Sequence, residues 1–243
     1  MKNNLMCHLI AGFPDMEKSF EVAEILAEAG SKYLEVQFPF SDPTADGPDI
    51  QAACAKALEG GFKVAEGFAL VKKIVEICKV PVFIMSYATI ACRNGLDVFI
   101  DKALSAGASG LIIPDLLPPD DEDLYRIARE KGMPVVPVFP ISAKKERIDI
   151  IKNLKSEYMY VALRKGITGK KTEISSEQTY FLKELAKTGS KIMAGFGIKE
   201  KEQAAALQPY VDAAIIGSEL VRVIASGGEN FREALKEKIN NLI

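Results

Sequence analysis

The sequence predicts an α/β fold, a closed (β/α)8 barrel in which residues 1–243 form one domain. Short apolar runs alternate with longer amphipathic runs from end to end, which is typical of repeated βα units. The chain has 243 residues, 48% of them hydrophobic and 26% charged, and single-domain barrels commonly have this size. No GxGxxG follows the first apolar run, which disfavours an open dinucleotide-binding sheet.

Eight strand segments follow one another along the chain. They are MCHLIAG, YLEVQF, VPVFIMSY, SGLIIPD, PVVPVF, YMYVAL, KIMAGFG and AAIIGS. The first intervening helix is capped by Asp15 and ends at Gly30, and its apolar stripe is Val22, Ile25, Leu26 and Ala29. Later helical patterns run to about Cys78, through Leu104, through Arg129, to near Leu154, through Leu185 and over 203–207. The helical segment SELVRVI follows the last strand.

Composition restricts the partner and the compartment. The 31 basic and 33 acidic residues give a net charge of −2, with no basic block, which argues against a nucleic-acid groove or an anionic membrane surface. The N-terminus MKNNLMCHLIAGFP lacks a long apolar segment that ends in a cleavage site. We therefore expect a cytoplasmic protein whose partner is a small molecule or another protein.

Metal and thiol chemistry are also disfavoured. The four cysteines, at 7, 54, 78 and 92, are too widely spaced for a ligand cluster. His8 is the only histidine, so a multi-histidine metal site is excluded. Cys54 and Cys78 read as small residues that face the core.

The second strand contains an acid that requires explanation. Side chains alternate along a strand, so Leu34, Val36 and Phe38 share one face while Glu35 and its neighbours Tyr33 and Gln37 share the other. In a closed barrel the apolar face packs on the helices and the polar face points inward. An interior carboxyl with no adjacent cation would keep its proton and could deliver it near neutral pH. The alternatives are that Glu35 pairs with an interior base or lies exposed.

The loop PFSDPTADGP follows directly at the end of the barrel where such enzymes carry their chemistry. Asp46 lies eleven residues beyond Glu35, near enough to fold back over the barrel mouth. Taken singly, Asp42, Asp46 and Asp49 read as turn or capping residues. The pairing with an interior glutamate makes Asp46 a second candidate for catalysis.

The later strands predict an aromatic lining and an anion site. Tyr158 and Tyr160 share one face of the sixth strand, where they line a pocket or fill the barrel core. Glycines occur in RKGITG, GFG and the GS of 217–218, and barrels often bind phosphate in the loops after strands seven and eight. Ser218 also reads as an ordinary helix cap.

These motifs together resemble the tryptophan synthase alpha chain family. The resemblance includes AGFPD, PFSDPTADGPDIQ, GLIIPDL, the Tyr-x-Tyr strand followed by GITG, then GFGI and IIGS, in order over essentially the whole chain. It implies a (β/α)8 lyase that cleaves indole-3-glycerol phosphate into indole and glyceraldehyde 3-phosphate. It also implies a pyridoxal-phosphate (PLP) beta chain as partner, which receives the indole, so no cofactor is expected in this chain.

The resemblance assigns roles to individual residues. Glu35 matches the glutamate that protonates indole C3 and assists removal of the hydroxyl proton, and Asp46 matches the aspartate that stabilises positive charge at the indole nitrogen. Further positions match contacts to the substrate or to its phosphate: Tyr87, Tyr160, Thr168, Gly169, Gly197, Gly217 and Ser218. The loop over 39–46 and the loop that contains Thr168 would form much of the interface with the beta chain.

Several positions depart from the family pattern. Gln37 replaces a usual glycine and is expected to narrow the indole pocket. Thr89, Leu117 and Leu163 stand where asparagine, proline and serine are common. The sequence also begins just before the first strand, without the extra N-terminal helix that many relatives carry beneath the barrel, so we expect a less covered barrel bottom.

Two rival functions follow from the same residues. One is another sugar-phosphate or indole-pathway reaction, which is disfavoured because Lys32 and Lys191 fall at strand beginnings, away from the active face. The other is a non-catalytic activator of a beta chain. An exposed or ion-paired Glu35 would favour that activator.

Overall fold

The computed structural model of the chain describes residues 3–163, 175–195 and 197–243, and this part of the chain contains eight parallel strands. The predicted order of strands and helices is confirmed. The strands are β1 Leu5–Ile10, β2 Tyr33–Gln37, β3 Val82–Met85, β4 Gly110–Ile112, β5 Val138–Pro140, β6 Tyr158–Ala162, β7 Lys191–Gly195 and β8 Ala213–Ile216.

Helices follow the strands along the chain. They are α1 Met16–Glu28, α2 Pro48–Glu59, α3 Val64–Cys78, α4 Ala88–Cys92, α5 Leu96–Ser105, α6 Leu124–Lys131, α7 Lys145–Asn153, α8 Ser176–Ala186, α9 Lys201–Leu207, α10 Ser218–Gly227 and α11 Phe231–Leu242. Asp15 caps α1 as predicted, since its side chain accepts a hydrogen bond from the Lys18 backbone N–H at 2.8 Å. Such a cap typically contributes about 1 kcal/mol.

The last helix, α11, was not predicted. Its buried residues Phe231, Leu235, Ile239 and Leu242 recur at helical spacing, and this periodicity is the signal that would have revealed it. The helix packs against α1 and α10. It therefore covers part of the outer layer and supports the helix that follows β8.

The sheet closes into a barrel at a seam between β4 and β5. The strands lie in the order β4-β3-β2-β1-β8-β7-β6-β5. Across the seam, the Leu111 N–H donates to Pro134 O at 2.9 Å and the Val136 N–H donates to Leu111 O at 2.8 Å. The predicted strand over 134–139 shortens to β5 because Pro134 and Pro137 have no N–H to donate to a ladder.

Side-chain alternation divides the apolar residues into two layers. The outward residues of the strands, such as Leu34 and Val36, pack with the helices in one large core. The inward residues form a second cluster inside the barrel, which includes Met6, Tyr33, Phe83, Met85, Ile112, Val136, Tyr158, Met193 and Ile215. The inward position predicted for Tyr158 and Tyr160 is confirmed.

The end of the barrel where the strands begin is filled by aromatic rings. The rings of Tyr33, Phe83 and Tyr158 pack edge to face, with centroids 5.0–6.1 Å apart. Below them, the Tyr33 hydroxyl donates to Asp212 at 2.6 Å, and Lys32 pairs with the same carboxylate at 2.8 Å. Tyr158 thus fills the core, which leaves Tyr160, two residues later, nearer the opposite end.

The cysteines are free thiols. Cys7 and Cys54 are fully buried, and burial raises the pKa of each thiol to about 12. These thiols therefore carry no reactive thiolate near neutral pH, as the sequence analysis expected for Cys54. Cys78 is half-buried at the end of α3 and packs against the outer core.

Candidate active site

Glu35 is a buried carboxyl on the inner face of β2. The parallel register places it opposite His8 of β1, and the residue is only 3% exposed. Both side chains line the same cavity near the carboxyl ends of the strands. The alternation argued from the sequence therefore places Glu35 inside the barrel, as expected.

The side chain next to Glu35 was not anticipated. His8 Nδ1 lies 3.2 Å from Glu35 Oε2, and each side chain is 4% exposed. The assumption that Glu35 has no adjacent cation was wrong, because an imidazole gains charge when it binds a proton. The structure instead favours the alternative in which Glu35 pairs with an interior base.

The electrostatics of His8 reflect this neighbour. Burial opposes the protonated imidazole, but the Glu35 carboxyl, with Asp46 and Gln37 nearby, outweighs burial and raises the pKa of His8 above its ordinary value. Oε2 of Glu35 has no well-aligned hydrogen bond among the described residues. The His8 contact is therefore close in distance without being linear, and Oε2 is a buried acceptor without an aligned donor in the described residues.

Asp46 is held over the barrel mouth by two donors. Its Oδ2 accepts a hydrogen bond from the Tyr87 hydroxyl at 2.8 Å and another from Gln37 Nε2 at 2.7 Å. Burial raises the pKa of Asp46, and the attraction of His8 and the two donors offset only part of that rise. The turn dipeptides of the loop therefore place the partly buried carboxyl of Asp46 near the buried carboxyl of Glu35.

Tyr87 acts on the loop as well as on Asp46. Its hydroxyl also accepts a hydrogen bond from the Ala45 N–H at 3.2 Å, and its ring stacks on Phe40 with centroids 5.3 Å apart. The side chain is 1% exposed and is not among the residues that line the cavity. Its predicted contact with substrate stays a prediction, whereas its contact with Asp46 is direct.

A cavity of about 250 Å³ connects these groups to the later strands. Its mostly apolar wall includes Ile50, Met85, Ile112, Val138, Phe139, Tyr160 and Ile215. The two carboxyls Glu35 and Asp46 lie in this wall together with His8. A flat aromatic group fits such a lining, because few polar atoms interrupt it.

The far side of the cavity is built from backbone. Gly197, Gly217 and Ser218 all line it, together with Gly195. Ser218 begins α10, so the free N–H groups of the first turn of that helix lie at the cavity wall. This arrangement can hold an anion. Thr168 and Gly169, predicted to contribute to the same site, lie outside the described residues.

The remaining acids of the loop serve structural roles. Asp42 accepts a hydrogen bond from the Ser41 hydroxyl. Asp49 pairs with Arg222 at 2.6 Å, which ties α2 to α10. Neither residue lines the cavity.

Sequence reasoning missed His8 and the role of Gln37. The departure at Gln37 was expected to narrow the pocket, but its fully buried side chain turns to Asp46 and is not part of the lining. Strand alternation already placed Gln37 on the inner face of β2, and the same alternation along β1 would have placed His8 on the inner face of that strand. The pairing of His8 with Glu35 needed the β1–β2 register, which short apolar strands do not reveal.

No cluster of three or more histidine, cysteine, aspartate or glutamate side chains suited to a metal ion occurs in 3–163, 175–195 or 197–243. In the same ranges, no helix combines the length and apolarity needed to cross a membrane.

Comparison with known proteins decides the family. The family profile described as "Tryptophan synthase alpha chain" matches residues 1–242. The chain belongs to the tryptophan synthase alpha chain family. The alpha chain of Helicobacter hepaticus is 40% identical over 231 residues, covering 92% of this chain and 86% of the relative. That of Carboxydothermus hydrogenoformans is 35% identical over 240 residues, covering 98% and 89%.

Solved structures agree with the sequence comparison. A Pyrococcus furiosus structure described as the tryptophan synthase a2b2 complex superposes with a TM-score of 0.90 at 30% identity, covering 100% of this chain and 99% of that one. A Mycobacterium tuberculosis tryptophan synthase gives 0.87 at 27% identity, covering 99% and 91%. As a tryptophan synthase alpha chain, the protein is a carbon–carbon lyase of tryptophan biosynthesis that cleaves indole-3-glycerol phosphate and works with a beta subunit. The PLP of the family lies in that beta subunit.

Proposed function

We propose that Glu35 and Asp46 carry out the cleavage of indole-3-glycerol phosphate in the cavity between them. The observation that carries this proposal is that a buried carboxyl, Glu35, and a partly buried one, Asp46, meet at one mostly apolar cavity in different surroundings. Glu35 lies 3.2 Å from the His8 imidazole, whereas Asp46 is held by two neutral donors. Such a difference suits one proton-transfer group and one electrostatic group.

Glu35 donates a proton to C3 of the indole ring and accepts a proton from the hydroxyl of the glycerol chain. Indole leaves only after its C3 accepts a proton, and the glycerol hydroxyl must lose a proton as the C–C bond breaks and the aldehyde forms. Glu35 gives the first proton and takes the second. The carboxyl therefore ends the turnover in its starting state, and the products contain the same atoms as the substrate.

Asp46 stabilises the charge that develops during this exchange. Protonation at C3 leaves positive charge on the indole nitrogen, whose N–H is then a stronger donor. A carboxylate fixed beside the apolar wall stabilises that charge strongly because little water screens it. Tyr87 and Gln37 support the ionised form of Asp46, since both donate to the same oxygen.

The phosphate of the substrate binds at the opposite wall. Gly197, Gly217 and Ser218 bring backbone N–H groups and the start of α10 to the cavity, and a phosphate there would leave the indole ring facing Tyr160 and Glu35. We include Thr168 and Gly169 in this proposal on the strength of the family motif. Tyr87 enters it as the residue that positions Asp46.

The chain itself requires no cofactor in this mechanism, because each step is a proton transfer or a charge interaction. We further propose that residues 1–243 act as one catalytic domain in the cytoplasm and that the loop over 39–46 contacts the beta subunit. The four free thiols support the cytoplasmic location. The contact with the beta subunit is supported by the loop itself, which carries Asp46 and exposes Ser41 and Asp42.

The first experiment compares wild type with Glu35→Gln and, as a matched control, Asp212→Asn at the opposite end of the barrel. The chain has no tryptophan, so indole released from indole-3-glycerol phosphate is detected by fluorescence with little background. We expect Glu35→Gln to lose about 10²–10⁴-fold in kcat, with or without a beta chain, as for loss of a general acid–base. Asp212→Asn should retain full activity.

A second candidate, the non-catalytic activator, is favoured by one observation. Glu35 lies at ion-pair distance from His8, and in an activator this pair would serve only to stabilise the barrel interior. An activator would stimulate a beta chain equally well as wild type or as Glu35→Gln and would release no indole from indole-3-glycerol phosphate. That combination of results, from folded protein, would overturn the assignment of Glu35 and Asp46.

A further inference from the structure

Of the two buried polar side chains at the site, His8 has no role in the reaction described above, and Gln37 has only its hydrogen bond to Asp46. They belong to adjacent inner positions of β1 and β2, because the register pairs His8 with Glu35 and Ile10 with Gln37. His8 is 3% exposed and Gln37 is fully buried. Burial of polar groups inside a barrel is costly unless they interact with something, so their position requires an explanation.

The contacts of these residues connect the two carboxyls. His8 Nδ1 lies 3.2 Å from Glu35 Oε2, and Gln37 Nε2 donates to Asp46 Oδ2 at 2.7 Å. One polar side chain therefore accompanies each carboxyl. Both residues reach their carboxyl from regular strands, which hold side chains more precisely than loops do.

Each of the two residues also has one polar atom without a hydrogen-bond partner among the described residues. His8 Nε2 and Gln37 Oε1 are buried and have no hydrogen-bond partner in the part of the chain that the structure describes. The two atoms are complementary, since a protonated imidazole offers an N–H donor at Nε2 and an amide offers an acceptor at Oε1. When the Nδ1 hydrogen points toward Glu35, only the protonated imidazole has a second hydrogen, at Nε2, to offer the Gln37 amide oxygen.

We propose that His8 is a positioning residue that stores the proton used by Glu35, and that Gln37 supports the charged imidazole while it holds Asp46. This inference rests on the proposed roles of Glu35 and Asp46. Before substrate binds, the His8–Glu35 pair carries one proton, which can pass across the 3.2 Å contact between Nδ1 and Oε2. The pair is thus ready to act as an acid although Glu35 has a basic neighbour.

The proton balance of a turnover closes with this pair. The shared proton moves from Nδ1 through Glu35 Oε2 to C3 of the indole ring, which leaves neutral His8 and ionised Glu35. The hydroxyl proton of the glycerol chain then returns to Glu35 as the C–C bond breaks. The pair again holds one proton, and no other donor is required.

In the part of the chain that the structure describes, few charged groups face His8. Glu35 approaches from β2 and Asp46 from the loop that follows it, and Tyr160 of β6 faces the same two carboxyls. The other neighbouring strand, β8, consists of alanine and isoleucine. The titration of His8 therefore reports mainly on the two carboxyls of the site.

The first test measures this titration directly. Because the chain has one histidine, its imidazole ¹⁵N signals in a nitrogen-correlated NMR spectrum need no assignment. We expect His8 to stay protonated above about pH 6.5, the ordinary midpoint. Glu35→Gln should lower the midpoint, and Gln37→Met should lower it by less. A His8 that is neutral below pH 6.5, or unaffected by Glu35→Gln, would overturn the inference.

The second test follows the pH dependence of catalysis in His8→Phe and His8→Gln, since either variant alone could fold poorly. If the pair stores the proton, the alkaline limb of kcat/KM moves to lower pH by about one unit or more in both variants. A uniform loss of kcat/KM with an unmoved alkaline limb would show a merely structural residue and overturn the inference. Wild type that shows the expected NMR titration but releases no indole would instead contradict the proposed function.

Discussion

The two ends of the barrel interior contain the same pair of residue types in opposite environments. At the end where strands begin, the Tyr33 hydroxyl donates to Asp212 at 2.6 Å, and at the active end the Tyr87 hydroxyl donates to Asp46 at 2.8 Å. Asp212 also pairs with Lys32 and remains partly exposed. Asp46 has an amide as its second partner and lies against an apolar cavity.

The difference shows what converts a structural contact into a functional one. A carboxylate with a lysine and water nearby is stable in its charged form and has no tendency to react. A carboxylate with neutral donors and little water is costly to keep charged, and a developing positive charge on a ligand can relieve that cost. The environment of the tyrosine–aspartate pair, more than the residues themselves, therefore determines its use.

The largest expected difference comes from exchanging each aspartate for asparagine. Asp46→Asn should lower kcat by about 10²-fold or more, because an amide cannot stabilise a positive indole nitrogen as a carboxylate does. Asp212→Asn should leave kcat unchanged and cost about 1 kcal/mol of unfolding free energy. Indole release and urea denaturation measure the two quantities. Equal losses of activity in both variants would remove the distinction between the two ends.

A smaller effect is expected from the tyrosines. Tyr87→Phe removes the hydrogen bonds to Asp46 and Ala45, so we expect kcat/KM to fall roughly tenfold, equivalent to about 1.4 kcal/mol. Tyr33→Phe should lower stability by about 1 kcal/mol with no change in kcat/KM. Steady-state kinetics beside thermal unfolding would reveal whether Tyr87 contributes only to folding, in which case kcat/KM would not change.

The pH dependence of stability should have opposite signs at the two ends. Burial raises the pKa of Asp46, so its contribution to stability is fully present below the ordinary aspartate pKa and is lost as pH rises through the raised value. At the other end, the hydrogen bond from Lys191 lowers the pKa of Glu157. Its contribution is present above the ordinary glutamate pKa and is lost as pH falls through the lowered value.

These signs are tested with Asp46→Asn and Glu157→Gln. From about pH 4 to pH 7, wild type should lose stability relative to Asp46→Asn, and from about pH 3 to pH 5 it should gain stability relative to Glu157→Gln. The second change should be the weaker of the two, because both Glu157 and Lys191 are about half exposed. Denaturation midpoints across these ranges supply the comparison, and slopes of the same sign would contradict it.

The smallest effect is expected from the exposed lysine itself. Lys191→Gln breaks a surface pair with Glu157 at 2.9 Å, and such pairs contribute about 0–1 kcal/mol. Activity should be unchanged, since Lys191 begins β7 at the far end from the cavity. A measurable loss of kcat in this variant would indicate that the two ends communicate.

Strand periodicity made most of the fold predictable, and local motifs located part of the site. The inward face of β2 and the turn-rich loop were enough to bring Glu35 and Asp46 to one end of the barrel. The pairing of Glu35 with His8 was not predictable, because it depends on the register of two strands that are separated in sequence by the α1 helix. The contact of Gln37 was not predictable for a different reason, since strand alternation does not determine whether its side chain turns to the cavity or to Asp46.

The seam between β4 and β5 has a consequence for how the barrel opens. In the described part of the chain the two edges are joined through Leu111 alone, by two backbone hydrogen bonds. These two hydrogen bonds close the barrel at the seam. The strands β1 and β2, which carry His8, Glu35 and Gln37, lie in the middle of the strand order, away from the seam. When the barrel opens locally at this seam, we expect the backbone amides around Leu111 to exchange hydrogen first, while the strands that hold Glu35 and His8 stay hydrogen-bonded to each other.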